Sequence, residues 1–248
     1  MQKKIIKRTT ICFLGFIVVS SVVFVPQLLT ETTALTSFVP NLIFNHNFHE
    51  VVPGELYRSA EMPQDDLGDI INKYNIQTVI DVRKGLGGRY PEDGHPSEEQ
   101  FLNSNGVKYL HAGLTGNRLP YFFEIERLLN AFNEAKPPIL VHCTSGTHRS
   151  GVASTVWLSE FSKSSNPDLI AKQLSVEYGF FSLEREFKSY FQGFPTIDHM
   201  VSNFLEDKKK LGVDLRTWAW QNLSHDIPEY ELQEEIAYNN MIAAKEAH

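Results

Sequence analysis

Apolar and polar positions alternate along most of this chain with two periods, and the period changes from segment to segment. Leu67, Ile70, Ile71 and Tyr74 fall on one helical face behind Pro63, which predicts a helix over 63–74. Phe122, Ile125, Leu128, Leu129 and Phe132 repeat the same spacing and predict a helix over 121–133, ended by Pro137 and Pro138. Between such stretches lie short apolar or β-branched runs. The spacing predicts strands over 55–58, 78–82, 107–111 and 139–141, the last the most apolar short strand in the body. A short helix is predicted over 97–104, and another over 149–161 carrying Val152, Val156 and Trp157. Glycine and proline cluster between Lys84 and Pro96, so that stretch is a loop, as is 114–120.

Strands alternating with helices predict an α/β fold: a mostly parallel central sheet with helices on both faces. After Asn166-Pro167 the pattern turns helical, with candidates over 168–178, 182–190, 196–211, 215–223 and 230–244. This divides the chain into a main domain over 46–195 and a helical C-terminal extension over 196–248. Trp218, Trp220, Met241 and Ile242 are the extension's apolar residues, which either pack on the body or offer a partner surface.

The N-terminus reads differently. Residues 1–8 are basic, and no charge occurs from Thr9 to Leu29. An apolar stretch of about 20 residues spans a bilayer as a helix. Basic residues before it and Glu31 after it favour a cytoplasmic N-terminus and an exported body. The expectation is a membrane segment over 9–29 and a linker over 30–45. The alternative is a signal segment whose cleavage leaves the body secreted or periplasmic.

Composition narrows the partners. The formal net charge is −7, and Lys3, Lys4, Lys7 and Arg8 precede the first acid, so the body alone is more acidic still. Such a body repels nucleic acid, and no basic stripe interleaved with aromatics offsets this. The chain has two cysteines, Cys12 in the apolar segment and Cys143 in the body. That excludes a disulfide framework and a cysteine-rich metal site.

Cys143 follows the strand 139–141 and begins the run Cys143-Thr144-Ser145-Gly146-Thr147-His148-Arg149-Ser150-Gly151. Ligand sites in such sheets sit at the C-terminal ends of parallel strands. Small residues and Gly146 let the loop curl, so its amides converge as an anion-binding nest at a helix N-terminus. That field lowers a Cys pKa from about 8.5 to roughly 3.5–7.5 and makes the thiolate a nucleophile. Arg149 offers a planar fork for two phosphate oxygens, which Lys cannot reproduce. Thr144, Ser145, Gly146, Thr147 and His148 supply the cradle. Ser150 is placed to hydrogen-bond the sulfur and improve it as a leaving group. His142 is expected to orient the loop rather than to transfer protons.

The run His142-Cys143-x-x-Gly146-x-x-Arg149-Ser150-Gly151 resembles the signature loop of the protein tyrosine phosphatases, in particular the dual-specificity-like branch. Leu56-Tyr57-Arg58-Ser59-Ala60-x-x-Pro63 and 78–83 resemble the opening of its bacterial members. Gly113-Leu114-Thr115-Gly116-Asn117-Arg118-x-Pro120 is similar to a loop of atypical plant and fungal ones. Together the resemblance covers roughly 50–190. Low-molecular-weight phosphatases and arsenate reductases carry the motif near the chain start, and rhodaneses do not call for the arginine. The resemblance implies hydrolysis of a phosphorylated protein or small phosphomonoester through a cysteinyl-phosphate, with no metal or cofactor. It also implies an upstream Asp as general acid, yet 109–118 contains neither Asp nor Glu. His111, Glu124, Asp93 and Glu92 are the candidates that could substitute, and the sequence assigns none of them. The missing acid motivates one alternative, a catalytically weak phosphate-binding module. An inositol phosphate phosphatase is the other, disfavoured by a loop without lysine.

Overall fold

The computed structural model describes residues 45–180 and 197–240, apart from 86, 90–95, 117, 165, 230, 234–235 and 238–239. The expected membrane segment, the linker and the helix over 182–190 lie outside the described residues, as does most of the helix expected over 230–244. No helix among the described residues is long and apolar enough to cross a membrane.

Five strands form one sheet in the order β1-β2-β5-β3-β4: β1 His49–Val52, β2 Leu56–Ala60, β3 Thr78–Asp81, β4 Lys108–His111 and β5 Ile139–Cys143. β2, β5, β3 and β4 run parallel, and β1 closes one edge as the antiparallel arm of a hairpin. The α/β expectation holds, with this one strand added. β1 was not predicted because His49 and Glu50 break its apolar run, and a register shift between Glu50 and Val52 spoils its alternation.

The strand period of two sorts β5 onto both faces. Ile139, Val141 and Cys143 join one apolar cluster, while Leu140 joins the other. Against the Leu140 face pack α1 (Gln64–Tyr74) and α2 (Glu98–Ser104), through Leu67, Ile71 and Leu102. Against the opposite face pack α3 (Phe122–Glu134) and α4 (His148–Glu160), through Ile125, Leu128, Phe132, Val152 and Val156.

The helix expected over 168–178 is broken. α5 (Pro167–Lys172) stops before Gln173, and a 3-10 turn at Val176–Tyr178 follows. Two further helices, α6 (Ile197–Leu211) and α7 (Leu215–Asn222), extend the α3/α4 layer. Met200, Phe204, Leu215 and Trp218 belong to the same cluster as Val141, so they pack on the body, whereas Trp220 is exposed.

Candidate active site

β5 delivers Cys143 to the C-terminal edge of the parallel strands, between β2 and β3. The chain then turns sharply and enters α4 at His148. The turn requires Gly146, whose φ is +69°. A Cβ there would stand 2.5 Å from the amide nitrogen of Ala60 and 2.6 Å from the carbonyl carbon of Ser59, so both the conformation and the space admit only glycine.

The loop closes on itself. Arg149 Nη2 donates to Thr144 Oγ1 at 3.1 Å, and the hydroxyls of Ser145 and Thr147 lie 2.9 Å apart. No carboxylate among the described residues pairs with Arg149. Beside it runs the loop after β4, where a Cβ on Gly116 would lie 3.6 Å from Arg149 Nε.

Cys143 is only 1% exposed, more enclosed than a nucleophile at the floor of an open cradle. Burial alone pushes a thiol pKa up. That push is outweighed by the Ser150 hydroxyl and N–H, the charge of Arg149 and the N–H of Ser145, so the Cys143 pKa falls below its ordinary value. An inert core thiol lacks those donors. Ser150 also reaches Ser59 O at 3.3 Å. The ring of His148 stacks on Phe180, and burial followed by the charge of Arg149 lowers its pKa.

Behind the loop lies a group the sequence did not assign. Arg58, in the middle of β2, is fully buried. Its Nη2 donates to the carbonyls of Gly146 and Thr147 at 2.8 and 2.7 Å, and its Nη1 to the carbonyl and side chain of Gln173. The guanidinium carbon stands 4.6 Å from the ring centroid of Tyr178. Burial lowers the Arg58 pKa to about 10, against opposing contributions from Tyr178 and Cys143, so it remains a cation at neutral pH. The signal available in the sequence was the segment Leu56-Tyr57-Arg58-Ser59-Ala60, which resembles bacterial members of the family; the structure buries all five of its residues.

On the β3 side a charged network holds His142. Its Nε2 lies 2.6 Å from Glu98 Oε1. Burial lowers the imidazole pKa, but the carboxylates of Glu98 and Asp81 outweigh it and raise the value to about 9. Arg83 binds Asp81, Glu98 and Glu61 at 2.7–2.8 Å. Asp81 also accepts the N–H of Gly88 and the hydroxyl of Tyr109. Asp81, Glu98 and His142 present ligand atoms within 4.8 Å of one another. The guanidinium already takes both carboxylates, so the donor set forms an ion network rather than a metal cage.

The four general-acid candidates separate. Glu92 and Asp93 lie outside the described residues. Glu124 is buried and accepts from the N–H groups of Thr115 and Tyr121 and from Arg118 Nη1, which makes it the brace of the 115–121 loop. The ring of His111 lies against the backbone, Nε2 being 2.8 Å from Arg83 O. No free carboxyl faces Cys143 among these four where they are described.

An α/β sheet with a Cys-x5-Arg loop at its strand ends defines the class. A model of the tyrosine phosphatase family matches residues 42–194. The chain belongs to this family, whose members are cysteine-dependent hydrolases. It is 30% identical over 110 residues to inositol diphosphatase SIW14 of Saccharomyces cerevisiae, an alignment covering 42% of this chain and 36% of that one. Sialic acid-binding Ig-like lectin 13 of Pan troglodytes aligns at 29% over 130 residues, 50% of this chain and 31% of that one. The chain thus spans about a third of the length of the curated relatives it matches. Among solved structures, the core catalytic domain of SIW14 aligns with a TM-score of 0.43 at 22% identity, covering 66% of this chain and 88% of that one. A putative phosphatase of Shewanella putrefaciens aligns with a TM-score of 0.47 at 14% identity, covering 67% and 95%.

Proposed function

We propose that the chain hydrolyses phosphomonoesters through a cysteinyl-phosphate. The Cys143 thiolate attacks phosphorus and the ester P–O bond breaks, the leaving oxygen taking a proton. Water then attacks phosphorus and gives up a proton to solvent, which replaces the one the leaving oxygen took from solvent; the S–P bond breaks, and inorganic phosphate departs with the thiolate restored. Arg149 binds two of the phosphoryl oxygens, and the amides of the loop receive the charge on the phosphoryl group. Ser150 hydrogen-bonds the sulfur as it leaves. His142, held as a cation by Glu98, fixes the loop's entry strand.

The observation that carries this reading is the tight turn at the strand ends that sets Cys143 beside Arg149 at the start of a helix, with no carboxylate among the described residues pairing with that arginine; the lowered Cys143 pKa agrees with it. The substrate class we favour is phosphotyrosine or another aryl or small phosphomonoester. Such leaving groups need little protonation, which fits a site without an evident general acid. The absence of lysine from 144–148 and the acidic body point the same way. A second reading, hydrolysis of an inositol phosphate or diphosphate, is favoured by the similarity to a yeast inositol diphosphatase. The uncharged stretch 9–29 behind a basic head supports a membrane-tethered body outside the cytoplasm.

Turnover of an aryl phosphate by the full chain, measured with EDTA present, tests the chemistry. Cys143→Ser is expected to reduce it by about 10⁴-fold or more. Undiminished turnover in that variant overturns the mechanism. A panel of phosphotyrosine, phosphoserine and inositol diphosphate substrates then decides the class.

A further inference from the structure

Three consecutive carbonyls of the Cys143 loop are held from behind by Asn47, in the turn before β1, and Arg58 of β2. Asn47 Nδ2 donates to Ser145 O at 3.2 Å, and Arg58 Nη2 donates to Gly146 O and Thr147 O. Both residues are fully buried. Asn47 is fixed in turn. Its Nδ2 also donates to Tyr178 O at 3.2 Å, and its Oδ1 lies 2.7 Å from His49 Nε2. Burial, then the charges of Arg58 and Lys172, lowers the His49 pKa to about 4, so the ring is neutral and donates to Asn47.

A trans peptide points its C=O and its N–H in opposite directions. The cis bond among the described residues is Pro137-Pro138, well away from the loop. Drawing the carbonyls of Ser145, Gly146 and Thr147 backward therefore turns the N–H groups of Gly146, Thr147 and His148 forward. The left-handed Gly146 followed by Thr147 in the right-handed region is the geometry of an anion-binding nest. Asn47, a neutral donor, orients one carbonyl of this loop. The Arg58 guanidinium orients two, and it adds a positive charge on the side of the loop remote from solvent.

We propose that Asn47 and Arg58 are positioning residues for phosphate binding, setting the direction of the amides at 146–148. The proposal rests on the reading that the Cys143 loop receives the phosphoryl group. The β1–β2 hairpin packs directly on the loop: Ala60 N donates to His46 O, which ties the turn carrying Asn47 to the end of β2, and the backbone of Ser59 and Ala60 leaves no room for a Cβ at Gly146.

The experiment uses the full chain carrying Asn47→Ala, Arg58→Met or Arg58→Lys. Circular dichroism and thermal unfolding first establish which variants fold. Two quantities are then measured. One is the inhibition constant for inorganic phosphate. The other is the pH dependence of iodoacetamide alkylation, read at Cys143 by peptide mass so that Cys12 does not contribute. Loss of hydrogen bonds to a charged ligand's cradle is expected to raise the phosphate constant about tenfold in Asn47→Ala and about a hundredfold in Arg58→Met. The alkylation midpoint shifts upward in both, and Arg58→Lys recovers part of each change. Should Arg58→Met not fold, Asn47→Ala decides by the same readouts. A folded Asn47→Ala or Arg58→Met with phosphate affinity within about twofold of wild type and an unchanged alkylation profile overturns the proposal. If Cys143→Ser is inert while those variants bind phosphate normally, the positioning role alone fails. If Cys143→Ser turns over, the catalytic reading itself fails.

Discussion

Among the described residues, four arginines stand around the strand ends and the loops that follow them, and they fall into two pairs. Arg83 and Arg118 belong to the loops that flank the site, and carboxylates saturate both. Arg83 takes Asp81, Glu98 and Glu61, and Arg118 takes Glu124 and Glu231. Arg58 of β2 and Arg149 at the start of α4 flank the Cys143 loop, one behind it and one in front, and among the described residues neither has a carboxylate partner. Arg58 is held by carbonyls and Arg149 by a threonine hydroxyl. A buried cation costs several kcal/mol in desolvation unless something compensates it. Where that something is a carboxylate, the region is neutral and serves as scaffold. Where it consists of dipoles, the charge stays available to an anion. The contrast locates the cradle without reference to the cysteine.

The largest expected effect comes from the front of the cradle. Arg149→Met is expected to lower kcat/KM for an aryl phosphate by about 10³-fold, since it removes a charged fork from the developing charge. Urea unfolding is expected to move by no more than about 0.5 kcal/mol, because among the described residues the side chain makes one hydrogen bond and pairs with no carboxylate. A comparable loss of stability would make Arg149 a structural residue and dissolve the distinction between the pairs.

Arg83→Met attacks the other pair and is expected to do the reverse. It leaves Asp81, which is fully buried, without its guanidinium. Breaking a buried pair costs about 3–5 kcal/mol. The lower end applies because Asp81 keeps the N–H of Gly88 and the hydroxyl of Tyr109. Phosphate affinity of the folded fraction is expected to stay near wild type. Equilibrium unfolding measured beside phosphate inhibition separates the two effects.

How far these regions could be read in advance differs for a physical reason. The front of the cradle is local: Cys143, Gly146, Arg149 and Ser150 lie within one turn and the first turn of α4, so spacing alone brings them together. The parallel strands and the amphipathic α1 and α3 were legible for the same reason. The back of the cradle is non-local. Arg58 meets Gly146 across 88 residues and Gln173 across 115, and no periodicity reports such contacts. β1 escaped because its pairing depends on a hairpin rather than on alternation. The break after α5 has its cause in Arg58 as well, since the carbonyl of Gln173 accepts from that guanidinium. Glu124 lies outside the apolar set of its helix, yet Arg118, distant from any apolar pattern, draws it inward.

A smaller effect probes the scaffold through pH. His142 has its folded pKa raised to about 9 by Glu98 and Asp81, against burial. The stability this pairing contributes is therefore fully present below about pH 6.5, the ordinary imidazole value, and is lost as pH rises through about 9. Its size is on the order of 2 kcal/mol, given 1.36 kcal/mol per pKa unit and a partner that is partly solvated. Glu98→Gln is expected to flatten this limb of the stability curve. Urea midpoints at pH 6 and pH 9.5, compared between wild type and variant, measure it. A curve equally steep in both would place the proton elsewhere in the network.

The smallest effect asks whether burial, rather than pairing itself, gives the scaffold its strength. Lys108 and Glu134 form an ion pair at 3.1 Å with side chains 46% and 60% exposed. The chemistry is that of Arg83 with Asp81, but water competes for both partners and salt screens them. A double-mutant cycle with Lys108→Ala and Glu134→Ala is expected to give a coupling of about 0.5 kcal/mol or less. In 1 M salt, where the Debye length is about 3 Å, that coupling should disappear. A coupling as large as the cost of Arg83→Met would mean that charge pairing stabilises this fold wherever it occurs. The carboxylate-free state of Arg58 and Arg149 would then be a cost of stability with no offset. A small, salt-sensitive value instead leaves desolvation as the quantity that separates scaffold from cradle.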